Sequence, residues 1–472
     1  MRVAIVGSGP AGFYAAEHLL KQNPVEGGGE GVSVEVDMFD RLPTPFGLVR
    51  AGVAPDHPKI KSVIRVYEKT AARDGFRFFG GVEIGRHLSP AELAEHYDAV
   101  IYAYGTATDR ALGIPGEELP GSHAATEFVA WYNAHPDFAD RDFDLSAERV
   151  VVIGNGNVAA DVARMLALTR SELEETDTAD HAIDVLAESS VREIVIVGRR
   201  GPAQAAFTNP EVRELGEMAD ADVVVDPADA ELDEVSREWL ASDAADPTNR
   251  RNVELFQGFA ERESEGKRKR IVLRFCRSPV EIRGEGRVES IVLGRNELVR
   301  DPESGAVRAV DTGEREELEC GLVLRSIGYL GAPIEGLPFD ERGGVIPNEH
   351  GRVVDPDSGE QVPGIYVVGW IKRGPSGVIG TNKKDAQDTV TALLEDARAE
   401  RVPERTPGAH SAEEIARFIQ ERCPDCVGFE GWQAIDRAEV ERGEPHGRPR
   451  IKFCTIAEMV EAARTTNTAA AN

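Results

Sequence analysis

Residues 2–20 read RVAIVGSGPAGFYAAEHLL, and this stretch decides the fold of the N-terminal part of the chain. Residues 3–6 form a short apolar run without polar alternation, which is typical of a buried parallel strand. A turn with three glycines follows at 7–12, and residues 13–21 then show helical spacing. The succession of strand, G-x-G-x-x-G turn and helix predicts a Rossmann-like unit that binds a dinucleotide.

Each glycine of this turn has a separate task. Gly7 permits the tight turn, Gly9 lets a pyrophosphate approach the backbone, and Gly12 lets helix and strand pack closely. The start of the helix offers free N–H groups and the positive end of its dipole to the phosphates. Asp40 ends the next predicted strand, where a carboxylate would bind a ribose hydroxyl. Asp40 lies further on than the usual distance of about 20 residues, and the glycine-rich loop at 27–31 accounts for the excess.

A second strand, turn and helix begin near residue 150. Residues 150–165 read VVVIGNGNVAADVARM, with G-x-G-x-x-A at 154–159. The following predicted strand, 193–197, leads into Arg199 and Arg200 rather than into an acidic residue. Arginine suits a 2′-phosphate, which a carboxylate would repel, so this site is predicted to prefer NADP over NAD. The alternative is that both arginines are simply solvated.

The two turns define the predicted domain organisation. We expect an α/β fold with two Rossmann-like dinucleotide-binding domains, the FAD domain being discontinuous (1–105 and 330–472) and the NADP domain (106–329) inserted into it. Residues 322–328 predict a strand through which the chain returns to the first domain. FAD in one domain and NADPH in the other would place a hydride donor against a flavin, which is the simplest chemical use of the pair.

Composition excludes several classes of protein. The 472 residues include 54 basic and 83 acidic ones, giving a net charge of −29. This excess argues against a general nucleic-acid or anionic-membrane binder, because binding phosphates requires positive potential. No apolar run reaches about 18 residues, so no transmembrane helix is expected. Five cysteines are too few for a disulfide scaffold, and we expect a reduced, cytoplasmic protein.

Cys423 and Cys426 form a C-x-x-C motif that allows a redox role or half of a metal site. No second cysteine pair or close histidine completes a zinc site, so we predict no metal. No G-x-S-x-G, H-E-x-x-H or Walker lysine motif supports a hydrolase or an NTPase. A flavin disulfide reductase using the two cysteines remains an alternative. So does a subunit that binds FAD and NADPH but only relays electrons within a larger complex.

Several longer segments carry a resemblance to one known family. They are residues 3–21, 43–61, 111–121, 150–164, 198–208, 320–329, 369–386 and 428–436. These segments resemble the adrenodoxin reductase family, the adrenodoxin-type ferredoxin–NADP(+) reductases of mitochondria and many bacteria. The resemblance implies a flavoprotein oxidoreductase of electron transport, in which a hydride passes from NADPH to FAD and single electrons then pass to a ferredoxin.

The resemblance also implies roles for particular residues at the flavin. The family usually has glutamate at the ribose position, so the shorter Asp40 would make a looser contact. Trp370 could instead be an ordinary core residue. The residues implied to contact FAD are Ala11, Asp40, Leu48, Ile84, Trp370, Gly377, Val378 and Ile379.

For NADP, the resemblance implies that the second turn holds the pyrophosphate and that Arg199 and Arg200 clamp the 2′-phosphate. Glu211 and Gly377 would lie close to the NADP, although Glu211 could also be one more charge in an acidic run. The family more often has glutamine where Asn155 stands. The turn residues concerned are Asn155, Gly156, Asn157 and Val158.

Proton handling and partner docking complete the expectations. An unperturbed histidine titrates near pH ~6.5, and the family places the histidine corresponding to His57 near the flavin ring. We therefore predict His57 as a catalytic residue, with Glu214 as its companion. Ferredoxins are usually acidic, and complementary charge speeds their association. The resemblance places docking near Arg250 and Arg251, while residues 267–270 could be either a second docking patch or a solvated loop.

Overall fold

The computed structural model describes residues 1–23, 33–403 and 411–469, so the glycine-rich loop at 27–31 lies outside the described residues. The strands are β1 (Arg2–Val6), β2 (Glu35–Asp40), β3 (Phe76–Gly80), β4 (Ala99–Tyr102), β5 (Thr108–Asp109), β6 (Ser122–Ala124), β7 (Arg149–Ile153), β8 (Glu193–Val197), β9 (Ala221–Val225), β10 (Lys269–Arg274), β11 (Arg277–Arg283), β12 (Ser290–Arg300), β13 (Val307–Glu319), β14 (Leu322–Arg325), β15 (Tyr329–Leu330), β16 (Asn348–Glu349), β17 (Arg352–Val354) and β18 (Gln361–Val367).

Two short 3-10 helices, Pro202–Gln204 and Glu444–His446, accompany the α-helices. The α-helices are α1 (Pro10–Leu20), α2 (Leu48–Ala51), α3 (Pro58–Lys61), α4 (Ile64–Ala71), α5 (Pro90–His96), α6 (Ala125–Tyr132), α7 (Asn157–Ala167), α8 (Arg170–Glu174), α9 (Asp180–Ala187), α10 (Asn209–Leu215), α11 (Pro227–Ala230), α12 (Glu234–Ala241), α13 (Pro247–Glu261), α14 (Trp370–Arg373), α15 (Thr381–Arg398), α16 (Ala412–Arg422), α17 (Phe429–Gly443) and α18 (Ile456–Ala469).

The chain forms two compact units. The first unit comprises residues 1–53, 57–108 and 328–472, and the second comprises 54–56 and 109–327. The short segment 54–56, placed in the first domain by the sequence prediction, is therefore grouped with the second unit. The chain passes between the units by short connections rather than by a long linker.

The first unit is built on a seven-stranded sheet in the order β16-β17-β18-β4-β1-β2-β3. The five strands from β18 to β3 run parallel, and β16 and β17 form an antiparallel edge. Val3 and Ile5 belong to one hydrophobic cluster, whereas Ala4 and Val6 belong to another. Alternate side chains of β1 thus enter cores on opposite faces of the sheet, which explains why this strand is apolar throughout.

The second unit contains a six-stranded parallel sheet in the order β6-β14-β7-β8-β10-β9, and a separate antiparallel sheet of β11, β12 and β13. The sequence predicts that 322–328 leads the chain back to the first domain, and the first unit does resume at Gly328, directly after β14. β14 pairs with β6 and β7 inside the second unit, and Val323 lies opposite Val151. An apolar run reveals that a strand is buried but not which sheet it joins.

Over the described ranges, no helix combines the length and the apolar character that crossing a bilayer requires.

Candidate functional site

The first glycine turn joins β1 to α1. Gly7 has φ +111°, and a Cβ there would lie 2.5 Å from the Ala103 carbonyl oxygen. A Cβ on Gly12 would lie 2.1 Å from the Gly7 carbonyl oxygen. Gly9 is the N-cap of α1, and a Cβ there would meet no atom within 4 Å. The turn therefore leaves open space above a helix N-terminus, as the approach of a pyrophosphate requires.

Asp40 stands at the carboxyl end of β2, beside this turn. Its Oδ2 accepts hydrogen bonds from the Ser8 amide (3.1 Å) and the Ser8 hydroxyl (2.5 Å), and its Oδ1 accepts one from the Leu42 amide (3.0 Å). Burial raises the pKa of Asp40. Because a carboxylate has about four acceptor sites, one remains for a ribose hydroxyl. The motif reasoning missed Ser8, whose position inside the turn was the available signal.

Near this turn the first unit has two exposed apolar side chains and one indole N–H without a partner in the described residues. Leu48 and Val378 are large apolar residues with 47% and 57% of their surface exposed. The Trp370 indole is stacked on Tyr329 at 5.6 Å between ring centroids, and its buried Nε1 has no hydrogen-bond partner within the described part of the chain. These groups fit a flat ligand that covers apolar side chains and accepts a hydrogen bond. Ile84 is already buried in the core.

A third glycine-rich turn follows β18. Gly369 has φ +76°, and a Cβ there would lie 2.6 Å from the Ala11 Cβ, so this turn abuts the start of α1. The carboxylate of Asp385 on α15 accepts a hydrogen bond from the Gly369 amide (2.6 Å) and pairs with Lys372 (2.8 Å). Sequence reasoning missed Asp385, although the presence of an acidic residue in the segment 369–386 was an available signal.

Residues 377–379 lie in the loop between α14 and α15. Gly377 and Val378 are exposed, and Ile379 is half-buried. Gly377 has φ +81°, and a Cβ there would meet the Thr381 hydroxyl oxygen at 2.6 Å. Glycine is thus required at 377 by both conformation and space.

The second glycine turn joins β7 to α7. Gly154 has φ +134°, and a Cβ there would lie 2.0 Å from the Ser326 carbonyl oxygen. Gly156 is the N-cap of α7, and a Cβ there would come no closer than 3.9 Å to another atom. The Asn155 carbonyl accepts from the Ala206 amide, and the Asn157 side chain accepts from the Thr208 amide. Val158 is half-exposed. The second turn therefore also leaves space above a helix N-terminus.

Arg199 and Arg200 follow β8 beside this second turn. Arg199 is exposed and Arg200 is half-buried. Their backbone carbonyls are fixed by hydrogen bonds from the Asn296 side chain (2.8 Å) and the Cys276 amide (3.0 Å). No carboxylate in the described ranges forms an ion pair with either guanidinium. Burial and the adjacent charge of Arg199 lower the pKa of Arg200, so this pair is suited to an anionic ligand.

Arg164 on α7, 2% exposed, is surrounded by carboxylates and was missed by the sequence reasoning. Although burial opposes its charge, neighbouring carboxylates raise the pKa of Arg164. Its partners, all in the second unit, are Asp161 (2.7 Å), Asp56 (2.9 Å), Glu211 (2.5 Å) and Glu214 (3.6 Å). The two predicted residues Glu211 and Glu214 are therefore brought together at one buried cation.

His57 is the N-cap of α3 and is half-exposed. Its carbonyl accepts from the Ile60 amide at 3.1 Å. His57 belongs to the first unit, and Glu214 belongs to the second.

The two cysteines of the C-x-x-C motif lie in a buried environment. Cys423 is 7% exposed, and its thiol donates to the Gly81 carbonyl at 3.2 Å. Burial raises the pKa of Cys423 and raises that of Cys426 to about 12. Thiol–disulfide chemistry requires the thiolate, so these shifts disfavour a redox role.

Arg250 and Arg251 lie on α13. The Arg250 guanidinium donates to the carbonyls of Leu240 (3.0 Å) and Ser242 (3.4 Å), and Arg251 pairs with Glu254. Both arginines are exposed.

The basic run 267–270 is largely neutralised, which favours its structural interpretation. Lys269 is 1% exposed, and burial lowers its pKa to about 8. The ion pairs of the other three residues are Lys267–Glu265, Arg268–Asp220 and Arg270–Glu193.

Comparisons with known proteins agree with this geometry. The pyridine nucleotide-disulphide oxidoreductase family matches residues 1–197. The chain is 54% identical over 458 residues to the NADPH-ferredoxin reductase FprA of Mycobacterium leprae, covering 97% of each protein. It is 42% identical to the mitochondrial NADPH:adrenodoxin oxidoreductase of Salvelinus fontinalis, covering 98% of this chain and 91% of that protein.

A solved structure of Mycobacterium tuberculosis FprA in complex with NADPH matches with a TM-score of 0.90 and 51% identity, covering 98% of this chain and 99% of that one. The predicted α/β fold with two Rossmann-like domains is therefore confirmed. With identity of 42% or more over nearly the whole length of several reductases, the chain belongs to the adrenodoxin reductase-type family of ferredoxin–NADP(+) reductases.

Proposed function

We propose that this protein is an FAD-dependent ferredoxin–NADP(+) reductase, an oxidoreductase that takes electrons from NADPH and delivers them to a ferredoxin. The observation that carries the proposal is the pair of open glycine turns with opposite charges at the following strand ends, Asp40 after the first and Arg199 and Arg200 after the second. FAD, when bound, accepts a hydride and releases electrons singly. The chain's own residues bind the two dinucleotides, orient them and shield them from water.

The first unit supplies the FAD site. The N-terminus of α1 and the space at Gly9 receive the pyrophosphate, and Asp40 accepts from the ribose. Ala11 and the residues 377–379 border the same helix start, and Trp370 offers its unpartnered Nε1. Leu48 covers an apolar part of the cofactor.

The second unit supplies the NADP site. Asn155, Gly156, Asn157 and Val158 form the turn that receives the pyrophosphate at the start of α7. Arg199 and Arg200 bind the 2′-phosphate, since neither has a competing carboxylate in the described ranges. Glu211 contributes by fixing Arg164 rather than as an isolated charge, and Gly377 is assigned to this ligand from the family resemblance alone.

His57 is assigned to proton handling, with Glu214 as its companion. A half-exposed imidazole at a helix start can exchange protons with solvent, and no protein nucleophile is required for hydride transfer. The readout is the pH profile of NADPH oxidation, from which His57→Gln should remove one ionisation while leaving FAD content unchanged. A profile identical to that of the unaltered protein would exclude His57 from this role.

Docking of the acidic ferredoxin is assigned to the surface around Arg250 and Arg251. Reversal of both charges (Arg250→Glu with Arg251→Glu) should raise the KM for ferredoxin about tenfold at low salt, because charge complementarity mainly affects association. The rate with ferricyanide should not change. The matched control reverses two exposed arginines of the first unit, Arg342→Glu with Arg417→Glu. An equal effect of the control would mean that only net charge matters.

The flavin disulfide reductase alternative is disfavoured by the raised pKa values of Cys423 and Cys426. Replacing both cysteines by serine should leave the NADPH–ferredoxin rate intact. The electron-relay subunit alternative predicts no turnover by the isolated chain.

Anaerobic stopped-flow of the FAD-loaded protein separates these possibilities. Addition of NADPH should bleach the flavin absorbance, and addition of a ferredoxin should restore it. No bleaching by NADPH would refute the proposed function.

We further assign the protein to the cytoplasm, where thiols stay reduced. None of the five cysteines, all of which lie in the described ranges, forms a disulfide. Fractionation of the source cells is the direct test.

A further inference from the structure

The segment 46–51 presses against the first glycine turn. The Phe46 amide donates to the Ser8 carbonyl at 3.0 Å, and a Cβ on Gly47 would lie 3.1 Å from the Gly9 Cα. Phe46 itself has φ +84°, a conformation that side-chain-bearing residues rarely adopt. The same segment carries the exposed Leu48. Its position therefore sets one wall of the space above Gly9, and surrounding groups must hold it there.

Arg50 is the point at which this segment is held. Its guanidinium makes two parallel hydrogen bonds to Glu439, Nη1 to Oε2 at 2.9 Å and Nη2 to Oε1 at 2.6 Å. The guanidinium also lies 5.3 Å from the ring centroid of Trp432, and the Lys452 ammonium donates to the Arg50 carbonyl at 3.1 Å. Two fixed points on one residue define both the place and the orientation of α2.

Glu439 itself is fully buried on α17. It accepts from the Phe453 amide at 3.0 Å and lies 3.4 Å from Arg450 Nη1. Although burial opposes ionisation, the charge of Arg50 holds the pKa of Glu439 below its usual value. Its carboxylate thus joins α17 and the segment 450–453 to the segment that borders the glycine turn, across 389 residues of sequence.

We propose that Glu439 is a positioning residue of the flavin site, which acts through Arg50 to hold residues 46–51 against the glycine turn. The proposal rests on the proposed function, because it requires FAD at that turn. It assigns to α17, a helix of the C-terminal segment, the task of keeping the FAD site in its binding conformation. Glu439 does not contact the cofactor, so its loss weakens FAD binding without changing the nucleotide preference of the second unit.

A second buried carboxylate in the same unit provides a matched control. Asp396 is fully buried and pairs with Arg352 (2.8 Å) and Arg401 (2.6 Å), while Tyr366 donates to it at 2.8 Å. It resembles Glu439 in burial and in having two arginine partners. None of its partners belongs to the segment 46–51.

The test compares Glu439→Gln with Asp396→Asn in the full chain. FAD-stripped protein is titrated with FAD, and binding is followed by quenching of flavin fluorescence. Glu439→Gln should raise the Kd for FAD by about tenfold or more, by analogy with the loss of affinity when a supporting hydrogen-bond partner is removed at a metal site. Asp396→Asn should lower the Tm comparably but leave the Kd for FAD unchanged. The KM for NADPH should not change in the FAD-saturated variants.

Two outcomes would overturn the proposal: an unchanged Kd in Glu439→Gln, or an equal loss of affinity in Asp396→Asn. Where Glu439→Gln does not accumulate, Arg50→Lys decides, because lysine keeps the charge but cannot make the two parallel hydrogen bonds. Failure of the unaltered protein to bind FAD would refute the proposed function itself. Equal FAD affinity of the unaltered protein and Glu439→Gln would refute only the role of Glu439.

Discussion

The two strand–turn–helix regions have the same topology and opposite chemistry at one position. β1 and β2 pair in parallel, as do β7 and β8. The strand after the first turn ends in Asp40, whose carboxylate accepts two hydrogen bonds from Ser8. The strand after the second turn leads instead into two arginines without carboxylate partners in the described ranges. The fold thus supplies a pyrophosphate site twice. The residue at the following strand end determines whether the site favours a ribose hydroxyl or a 2′-phosphate.

The helices that follow the turns are held differently. α1 packs through aromatic rings, with Phe13 stacked on Tyr67 at 5.0 Å between centroids. α7 instead carries the buried charge of Arg164, and its last turn receives a hydrogen bond from the Lys269 ammonium to the Leu166 carbonyl at 2.6 Å. Both dinucleotide helices therefore bury an apolar face, and α7 holds a buried charge in addition.

The largest effect is expected from a substitution at the third position of the first turn. This position is glycine in the first turn (Gly12) and alanine in the second (Ala159). Gly12→Ala would place a Cβ 2.1 Å from the Gly7 carbonyl oxygen, and α1 would have to move away from β1. We expect loss of bound FAD, measured by the flavin absorbance of the purified protein. Ala159→Gly at the equivalent position of the second turn is the control, and should cost about 1 kcal/mol through helix propensity alone. Normal FAD content in Gly12→Ala would show that the first turn tolerates the spacing of the second.

These differences also show what the sequence could predict. The glycine turns and Arg199 with Arg200 were predictable, because spacing, apolar strands and helical periodicity are local properties. The sheet that β14 joins was not predictable, because an apolar run does not indicate which neighbouring strands it will pair with. The partnership of Arg50 with Glu439 was equally invisible, because 389 residues separate the two and only the fold brings them together.

The charged residues illustrate the same limit in another way. A C-x-x-C pattern allows thiol chemistry, but burial decides whether the thiols ionise, and here it raises the pKa of both. The run 267–270 resembles a basic patch in sequence, yet three of its members are paired and Lys269 is buried. Composition gives the number of charges, and only tertiary structure gives their neutralisation.

The electrostatic fastening of α7 can be broken at Arg164. Arg164→Met should lower the free energy of unfolding by about 3–5 kcal/mol, because it leaves the buried Glu211 and its half-buried acidic neighbours without their counter-charge. Thermal unfolding followed by circular dichroism measures the loss. Arg170→Met is the control, since this arginine forms only exposed ion pairs. Equal stability of Arg164→Met and the unaltered protein would show that water replaces the guanidinium and that α7 does not depend on it.

The selectivity of the second strand end is tested by Arg199→Ala with Arg200→Ala. Loss of two charge-assisted contacts to a 2′-phosphate should raise the KM for NADPH about 100-fold, whereas the KM for NADH, which lacks that phosphate, should change little. Arg192→Ala, an exposed arginine at the other end of the same strand, should affect neither. Equal effects of the double variant on both nucleotides would refute the 2′-phosphate assignment.

The smallest effect concerns the end of α7 and depends on pH. Burial lowers the pKa of Lys269 to about 8 in the folded protein, from 10.5. Between these values the unfolded chain binds more protons than the folded one, so the contribution of Lys269 to stability rises with pH and is lost as pH falls through about 8. Between pH 7 and pH 9 the gain should be about 1 kcal/mol, measured as the change in unfolding free energy. Lys269→Met should remove this increment, whereas Lys384→Met, an exposed lysine of α15, should retain it. The same pH dependence in Lys269→Met would mean that other groups produce it.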